Sequence, residues 1–84
     1  ELLAIRSDVF RFIPMHKMKY DLIFADPPYD SQHYDLLVNL VLENNLLKED
    51  GLFVVEHNKF LDFKDHPRFV EQRRYGKVNF SFFK

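Results

Sequence analysis

The sequence predicts an α/β fold in the order β-α-β-α-β-β-β. Mostly apolar runs at residues 21–25 and 52–56 lack polar alternation, which is typical of buried parallel strands. Apolar residues at helical spacing lie between those runs and predict a crossover helix. Two alternating segments, at residues 69–75 and 78–83, flank a glycine and predict a terminal antiparallel hairpin.

The chain begins with a strand, which is predicted from the short apolar run of residues 2–5. A brief helix is predicted over residues 9–13, because Ser7 or Asp8 can serve as its N-cap and Pro14 follows it. The oxygen of an N-cap side chain accepts hydrogen bonds from the free N–H groups of the first helical turn. This helix would connect the first strand to the second.

The strand of residues 21–25 ends abruptly at Asp26-Pro27-Pro28-Tyr29, the most informative segment of the chain. Proline has no N–H and a fixed φ, so Pro27 and Pro28 cannot continue a strand ladder. The chain therefore leaves the sheet with Asp26 at the carboxyl end of the strand. Open α/β sheets form their ligand crevices at that edge.

This motif suits the recognition of a planar exocyclic amine. Asp26 offers carboxylate oxygens, and the missing donors of the two prolines leave nearby backbone carbonyls free to accept. Tyr29 offers a stacking face for the ring that carries the amine. If both N–H bonds of the amine are accepted, its lone pair is aimed at an electrophile, so we expect catalysis by positioning.

The second half of the chain begins with a helix that starts near Ser31, a good N-cap. Its apolar residues recur at helical spacing and form one buried stripe, consisting of Tyr34, Leu37, Val38, Val41 and Leu42. Residues 48–51 predict a turn before the strand of residues 52–56. The polar segment of residues 58–67 is compatible with either a helix or a loop. Gly76 lies in the predicted hairpin turn.

Composition limits the chain to one small domain. With 84 residues it can bury roughly 60% of its unfolded surface, and ten phenylalanines are ample for a core. No run approaches the ~18 apolar residues of a membrane span. The absence of cysteine excludes disulfides and thiolate metal sites, and it fits a cytoplasmic location. The histidines show no ligand spacing with carboxylates, so no metal site is expected.

The net charge of −1 does not require a polyanionic partner, but the charge is unevenly spread. From residue 68 onward, Glu71 is the only acid among several lysines and arginines, and aromatic residues are interleaved with them. Such a stretch is typical of phosphate-binding surfaces. The more conservative interpretation is that these charges solvate strand faces opposite the core.

Asp-Pro-Pro-Tyr after a hydrophobic strand resembles the motif of class I S-adenosylmethionine-dependent amino-methyltransferases. Among these, the chain is most similar to the RsmD-like 16S rRNA (guanine-N2)-methyltransferase family. The resemblance includes Ser7-Asp8 before a short helix, residues 25–30, residues 51–56 and residues 74–76. It implies that residues 1–84 are the C-terminal part of a single methyltransferase domain, with the C-terminal half of its Rossmann-like sheet.

The resemblance also implies S-adenosylmethionine as the cofactor and gives roles to particular side chains. The catalytic residues would be those of the motif itself, namely Asp26, Pro27, Pro28 and Tyr29. The cofactor would be bound by Asp8, Val9 and Asp26, although Asp8 is equally well explained as a helix cap. The substrate would contact Tyr29, and also Glu56, which ends its strand at the same sheet edge as Asp26 and could instead hold a loop.

The implied substrate is guanine N2 in small-subunit ribosomal RNA, either free or in the pre-ribosomal subunit. Adenine N6 in DNA and a protein glutamine are alternatives within the same chemistry. A nucleic-acid or protein interaction module is the non-enzymatic alternative. The only glycines are Gly51 and Gly76, so the Gly-rich cofactor loop of the family is expected upstream of residue 1. The chain alone is therefore expected to be inactive and to bind the cofactor weakly.

The strand of residues 21–25 is expected to lack a partner on one side. In the strand order that the resemblance implies, one of its neighbours also lies upstream of residue 1. An unpaired apolar edge pairs readily with another chain. We therefore expect self-association, or complementation by the missing half.

Overall fold

A computed structural model describes residues 2–5, 19–26 and 31–84 of the chain. The predicted helix of residues 9–13 lies outside the described residues. Part of the predicted site does so too, namely Asp8, Val9, Pro27, Pro28 and Tyr29. The described elements are β1 (Leu2–Ile5), β2 (Tyr20–Ala25), α1 (Ser31–Glu43), β3 (Leu47–His57), β4 (Phe69–Tyr75) and β5 (Val78–Phe83).

The described strands form one mixed sheet in the order β1-β2-β3-β5-β4. β1, β2 and β3 are parallel, whereas β5 is antiparallel to both β3 and β4. The sequence predicted this mixed α/β sheet, with the parallel strands first and the antiparallel hairpin last. Ala25 lies opposite Val55, so β2 and β3 end at the same edge of the sheet.

The expectation that the second strand has an unpaired edge is wrong. β1 pairs with β2 over four residues, from Leu2 opposite Leu22 to Ile5 opposite Ala25. The physical reason is that an apolar strand exposes N–H and C=O groups, and any extended apolar segment nearby can pair with them. β1 is therefore the outer strand on this side, and its Leu2 is 62% exposed.

The helix α1 buries the stripe that its sequence predicts. All five side chains of that stripe are buried, in one core with residues of β2, β3 and β5 such as Ile23, Phe53 and Phe83. Burying one such aliphatic side chain contributes about 1.5–3 kcal/mol. The helix ends where the Asn44 side chain donates to the Leu40 carbonyl at 2.6 Å. Asn45 then takes the left-handed conformation, with φ 54°, that commonly follows a helix.

The predicted turn at residues 48–51 lies inside a strand, so the prediction that the third strand begins at residue 52 is wrong. β3 already pairs with β2 at Leu47, opposite Tyr20, and the next pair is Leu22 with Leu52. Two steps along β2 thus correspond to five along β3, and the extra residues bulge out of the ladder. The turn-forming residues 48–51 lie in this bulge, where Asp50 has a φ of 68°.

The segment of residues 58–68, which the structure describes completely, is a loop rather than a helix. It contains isolated turns, such as the bond from the His66 N–H to the Phe63 carbonyl at 3.0 Å. Phe63 anchors the loop, because its buried ring meets His57 and Phe83 edge to face at 5.0 and 5.6 Å. The loop then enters the β4–β5 hairpin, where Gly76 adopts a φ of 63° in the predicted turn.

The two faces of the sheet differ in cover. One face packs against α1 and Phe63, whereas the other carries half-buried or exposed apolar side chains, among them Leu22, Phe24, Phe80 and Phe82. Among the described residues, no helix has the length and apolar character needed to cross a membrane.

Candidate functional site

An open cleft of about 240 Å³ lies at the carboxyl edge of the parallel strands. β2 ends directly before it, β3 ends within it, and the antiparallel strand β5 begins there. Tyr34 of α1 forms part of another wall. The residues that line the cleft are Asp26, Tyr34, Glu56, His57, Asn58, Lys77 and Val78.

Asp26 and Glu56 enter the cleft from neighbouring strands. Asp26 directly follows Ala25, which is fully buried and lies opposite Val55, the residue before Glu56. The register of the paired strands therefore places Asp26 and Glu56 beside each other at this edge, and both residues are half-buried. Two carboxylates side by side form a set of hydrogen-bond acceptors, which suits an amine or amide donor.

Tyr34 connects α1 to the end of β3. Its hydroxyl donates to the backbone carbonyl of Glu56 at 3.2 Å, and the ring is buried. Burial, followed by the charges of Asp26 and Glu56, raises the pKa of the Tyr34 hydroxyl above its usual value of 10.0. The hydroxyl therefore stays protonated and continues to donate.

His57 is a structural residue of the cleft wall. Its Nδ1 lies 2.8 Å from the carbonyl of Asn58, and its Nε2 lies 2.7 Å from the hydroxyl of Ser81. Since a carbonyl can only accept, Nδ1 carries the proton, and the Ser81 hydroxyl donates to Nε2. Burial lowers the pKa of His57 and outweighs the opposite effects of the Asn58 carbonyl and Asp62.

The neutral His57 has both ring nitrogens engaged within the fold, so it holds the wall instead of exchanging protons with a ligand. It is only 4% exposed, and its contact to Asn58 ties the end of β3 to the loop that follows. Its partner Ser81 is fully buried.

The tip of the β4–β5 hairpin, next to the cleft, is basic and aromatic. Lys77 lies in the turn between β4 and β5 and lines the cleft together with the carboxylates. The neighbouring Tyr75 is 62% exposed and rests edge-on against Phe80 at 5.9 Å between ring centroids. Arg74 donates from Nε to the Gly76 carbonyl at 3.0 Å, and this bond stabilises the turn of the hairpin.

Of the residues predicted for the site, the described part of the chain brings Asp26 and Glu56 together. The other predicted positions fall outside it. Five residues that line the cleft were not among the predicted site residues, namely Tyr34, His57, Asn58, Lys77 and Val78. Among the described residues, no group of three or more His, Asp or Glu side chains could hold a metal ion.

The chain has relatives among known families and curated proteins. The family model described as "Conserved hypothetical protein 95" matches residues 2–84. Ribosomal RNA small subunit methyltransferase D of Buchnera aphidicola is 24% identical over 84 residues, covering 95% of this chain and 43% of that protein. An uncharacterized methylase of Rickettsia prowazekii is 34% identical over 53 residues, covering 63% of this chain and 22% of that protein.

A solved structure shares the fold. A hypothetical protein of Thermus thermophilus superposes with a TM-score of 0.74 and 28% identity, covering 90% of this chain and 43% of that chain. The chain thus spans less than half the length of each of these three proteins.

Proposed function

The chain belongs to the Conserved hypothetical protein 95 family, the RsmD-like family that its motif resembles, and from that premise we propose that it forms the substrate side of an S-adenosylmethionine-dependent methyltransferase. The acceptor is the exocyclic N2 amine of a guanine in small-subunit ribosomal RNA. The observation that carries this proposal is the cleft in which Asp26 and Glu56 meet. The name of the Buchnera relative supports ribosomal RNA as the substrate.

Asp26 orients the amine. Its carboxylate accepts one N–H bond, and the Pro27 carbonyl accepts the other, so that the nitrogen lone pair faces the methyl group. Pro28 restricts the backbone of the motif, because its φ is fixed. The Tyr29 ring stacks on the base. S-adenosylmethionine would supply an electrophilic methyl group to this lone pair, and the amine proton would then pass to water. Asp26 therefore acts by positioning and need not be a strong base.

The size of the cleft agrees with this division of roles. Sites for drug-sized ligands usually occupy roughly 300–1,000 Å³. The described cleft, at about 240 Å³, has room for the amine-bearing edge of a base. S-adenosylmethionine supplies, when bound, a methyl group on a cationic sulfur. Asp8, Val9 and Asp26 would hold it, and the carboxylate of Asp26 suits its positive charge.

Glu56 contributes through both its side chain and its backbone. The carboxylate provides a second acceptor for the base beside Asp26. The backbone carbonyl accepts from Tyr34 at 3.2 Å, which keeps the end of β3 at a fixed distance from α1. Tyr34 is therefore a positioning residue for the two carboxylates.

The test uses the protein translated from the complete reading frame that contains this chain. Radiolabelled S-adenosylmethionine is supplied with small-subunit RNA, with duplex DNA or with a release factor. We expect label in RNA, on guanine N2. Asp26→Ala should lower turnover by at least ~100-fold, because the amine loses its orientation, while cofactor affinity falls much less, because Asp8 and Val9 still hold the cofactor.

Each other outcome has a definite meaning. Label in DNA or in protein would assign the chain to the adenine-N6 or glutamine alternative. Equal turnover by the parent and Asp26→Ala would remove the proposed role of the motif. RNA binding without any transfer would favour the interaction module.

A further inference from the structure

An exposed aromatic ring and two lysines belong to segments that reach the cleft: Lys77 lines it, and Lys59 and Phe60 directly follow Asn58, which also lines it. We call Lys59, Phe60 and Lys77 the rim. We infer that the rim holds the single-stranded RNA next to the target nucleotide: Phe60 stacks on a flanking base, and the lysines meet phosphates. This inference rests on the proposed function, because it assumes that RNA is the substrate of the cleft.

Phe60 is exposed in a way that core packing does not explain. Its side chain is 81% exposed, whereas the anchor of the same loop, Phe63, is buried. The position of Phe60 is nevertheless defined, because its N–H donates to the Asn58 side chain at 2.9 Å. Asn58 itself lines the cleft. A local turn thus keeps an uncovered aromatic ring beside the entrance of the site.

Lys59 adds a positive charge to that ring. Its ammonium lies 5.4 Å from the centroid of the Phe60 ring, which is within the range of a cation–π contact. With 81% of Phe60 exposed, most of the ring stays accessible to a second planar group. A nucleobase stacked on this ring would bring its phosphate near the ammonium.

Lys77 lines the same cleft as Asn58, the residue that starts the turn of Phe60. It is exposed, and no hydrogen bond or ion pair to it is found in the described part of the chain. The nearby Arg73 is already engaged, since its guanidinium bonds to the Glu71 carboxylate at 3.2 Å. Lys77 therefore offers an exposed positive charge at the cleft, where it can meet a phosphate.

The combination favours a nucleic-acid strand over a protein partner. A hydrophobic pocket on a protein would accept Phe60, but it would not interact favourably with the Lys59 ammonium above the ring or with the Lys77 ammonium at the cleft. A single-stranded RNA offers planar bases and phosphates in alternation, and such strands bind to aromatic rings in basic grooves.

The experiment measures RNA affinity without cofactor, by the fluorescence anisotropy of a labelled single-stranded RNA of about 12 nucleotides, with the protein from the complete reading frame, at several salt concentrations. Phe60→Leu keeps an apolar side chain but removes the aromatic face, so we expect an affinity loss of about 10-fold. Phe60→Tyr should retain the parental affinity. Lys77→Ala should reduce the slope of log affinity against log salt by about 0.7.

Lys84 provides the matched control, because it follows the far end of β5, away from the cleft. Lys84→Ala should leave both the affinity and the salt slope unchanged. Parental affinity of Phe60→Leu would overturn the stacking role. An equal effect of Lys84→Ala and Lys77→Ala would indicate diffuse attraction and would overturn the rim. Dependence on Phe60 in binding to a ribosomal protein, and not to RNA, would assign the ring to a protein partner.

The rim and the proposed function can fail separately. If the protein transfers no methyl group to RNA but its RNA affinity depends on Phe60, the proposed function is wrong and the rim stands. If it methylates RNA and the Phe60 and Lys77 variants bind normally, the rim is wrong and the proposed function stands. Both side chains are exposed, so the variants should fold, which circular dichroism checks.

Discussion

Tyr34 shows how one buried hydroxyl can hold a site together. The ring belongs to the core under α1, while the hydroxyl donates to the Glu56 carbonyl beside the two carboxylates. In Tyr34→Phe the ring stays in place and only this bond is lost. We expect the free energy of unfolding, measured with urea, to fall by about 0.5–1.5 kcal/mol.

The control for this measurement is Tyr75→Phe, since Tyr75 is 62% exposed. It should change the free energy of unfolding by less than about 0.5 kcal/mol. If Tyr34→Phe were as stable as the parent, the hydroxyl would have no part in joining α1 to β3. Methyl transfer in the complete protein should fall as well, because the two carboxylates lose a fixed support.

His57 makes stability depend on pH in a definite direction. Burial lowers its pKa in the folded chain below the value of 6.5 for the unfolded chain. The unfolded chain therefore takes up the proton more readily, and folding stability is lost as the pH falls through 6.5 towards the lower folded value. Above that unfolded pKa this contribution is fully present.

We expect the free energy of unfolding of the parent to decrease between about pH 7 and pH 5 more steeply than that of His57→Gln. Urea titrations of both proteins at several pH values measure the difference. The other histidines remain in both proteins, so they cancel in the comparison. Parallel pH profiles would mean that His57 is as easily protonated in the folded chain as in the unfolded one.

At the scale of single residues, the sequence predicted that Asp26 and Glu56 reach the same sheet edge, but it did not predict their surroundings. Asp26 and Glu56 each follow an apolar run, and strand ends are readable from local sequence. Lys77 was missed although a signal existed: a strand antiparallel to β3 begins where β3 ends, so the residue before β5 must lie at the same edge. Tyr34 was assigned to the core stripe, and nothing in its spacing indicates that its hydroxyl reaches β3.

Among the elements, β3 depends on one glycine in its bulge. A Cβ at Gly51 would lie 2.8 Å from the Lys48 carbonyl oxygen and 3.1 Å from that of Tyr20. Both atoms belong to the backbone, so Gly51→Ala forces the bulge to shift. We expect a loss of about 1–3 kcal/mol in the free energy of unfolding.

Gly76 is the matched control, because its surroundings are open and only its φ of 63° restricts substitution. Asparagine tolerates this conformation, so Gly76→Asn should cost little, whereas Gly51→Asn should cost at least as much as Gly51→Ala. Urea unfolding of these variants gives the comparison. If the two asparagine variants were equally stable, steric crowding at Gly51 would not be the reason for its presence.

The sequence predicted the elements better than their ends. The stripe of α1 is periodic over two turns and therefore clear. The turn residues at 48–51 were recognised, but the pairing of Leu47 with Tyr20 joins distant parts of the chain, and local chemistry gives no sign of it. The loop of residues 58–68 was ambiguous because its apolar residues pack on the core without a helical or strand period.

The chain has side chains that can accept hydrogen bonds, but its sequence contains no Gly-rich loop whose backbone N–H groups could bind a nucleotide-like cofactor. Its only glycines lie in a bulge and a hairpin turn. We therefore expect titration calorimetry of this chain alone to give no saturable binding of S-adenosylmethionine. The protein from the complete reading frame should bind it. Equal affinity of the two would contradict the division of the domain that the resemblance implies.

The architecture as a whole was only partly predictable. A mixed sheet with a terminal hairpin follows from apolar runs, alternation and turn residues. The strand order does not, because the order that the resemblance implies places another strand beside β2, whereas β1 lies there in this chain. Which of several apolar segments pairs with an open strand depends on what else the chain contains, and no local pattern encodes it.

Because β1 pairs with this edge of β2, any further strand can pair there only by displacing β1. Displacement requires that the four-residue ladder between Leu2–Ile5 and β2 opens first. Its rate of insertion would then level off at high concentration, at the speed of that opening. A short strand such as β1 prevents non-specific pairing of other chains with the edge of β2. A longer strand, which can form more hydrogen bonds with β2, can still displace it.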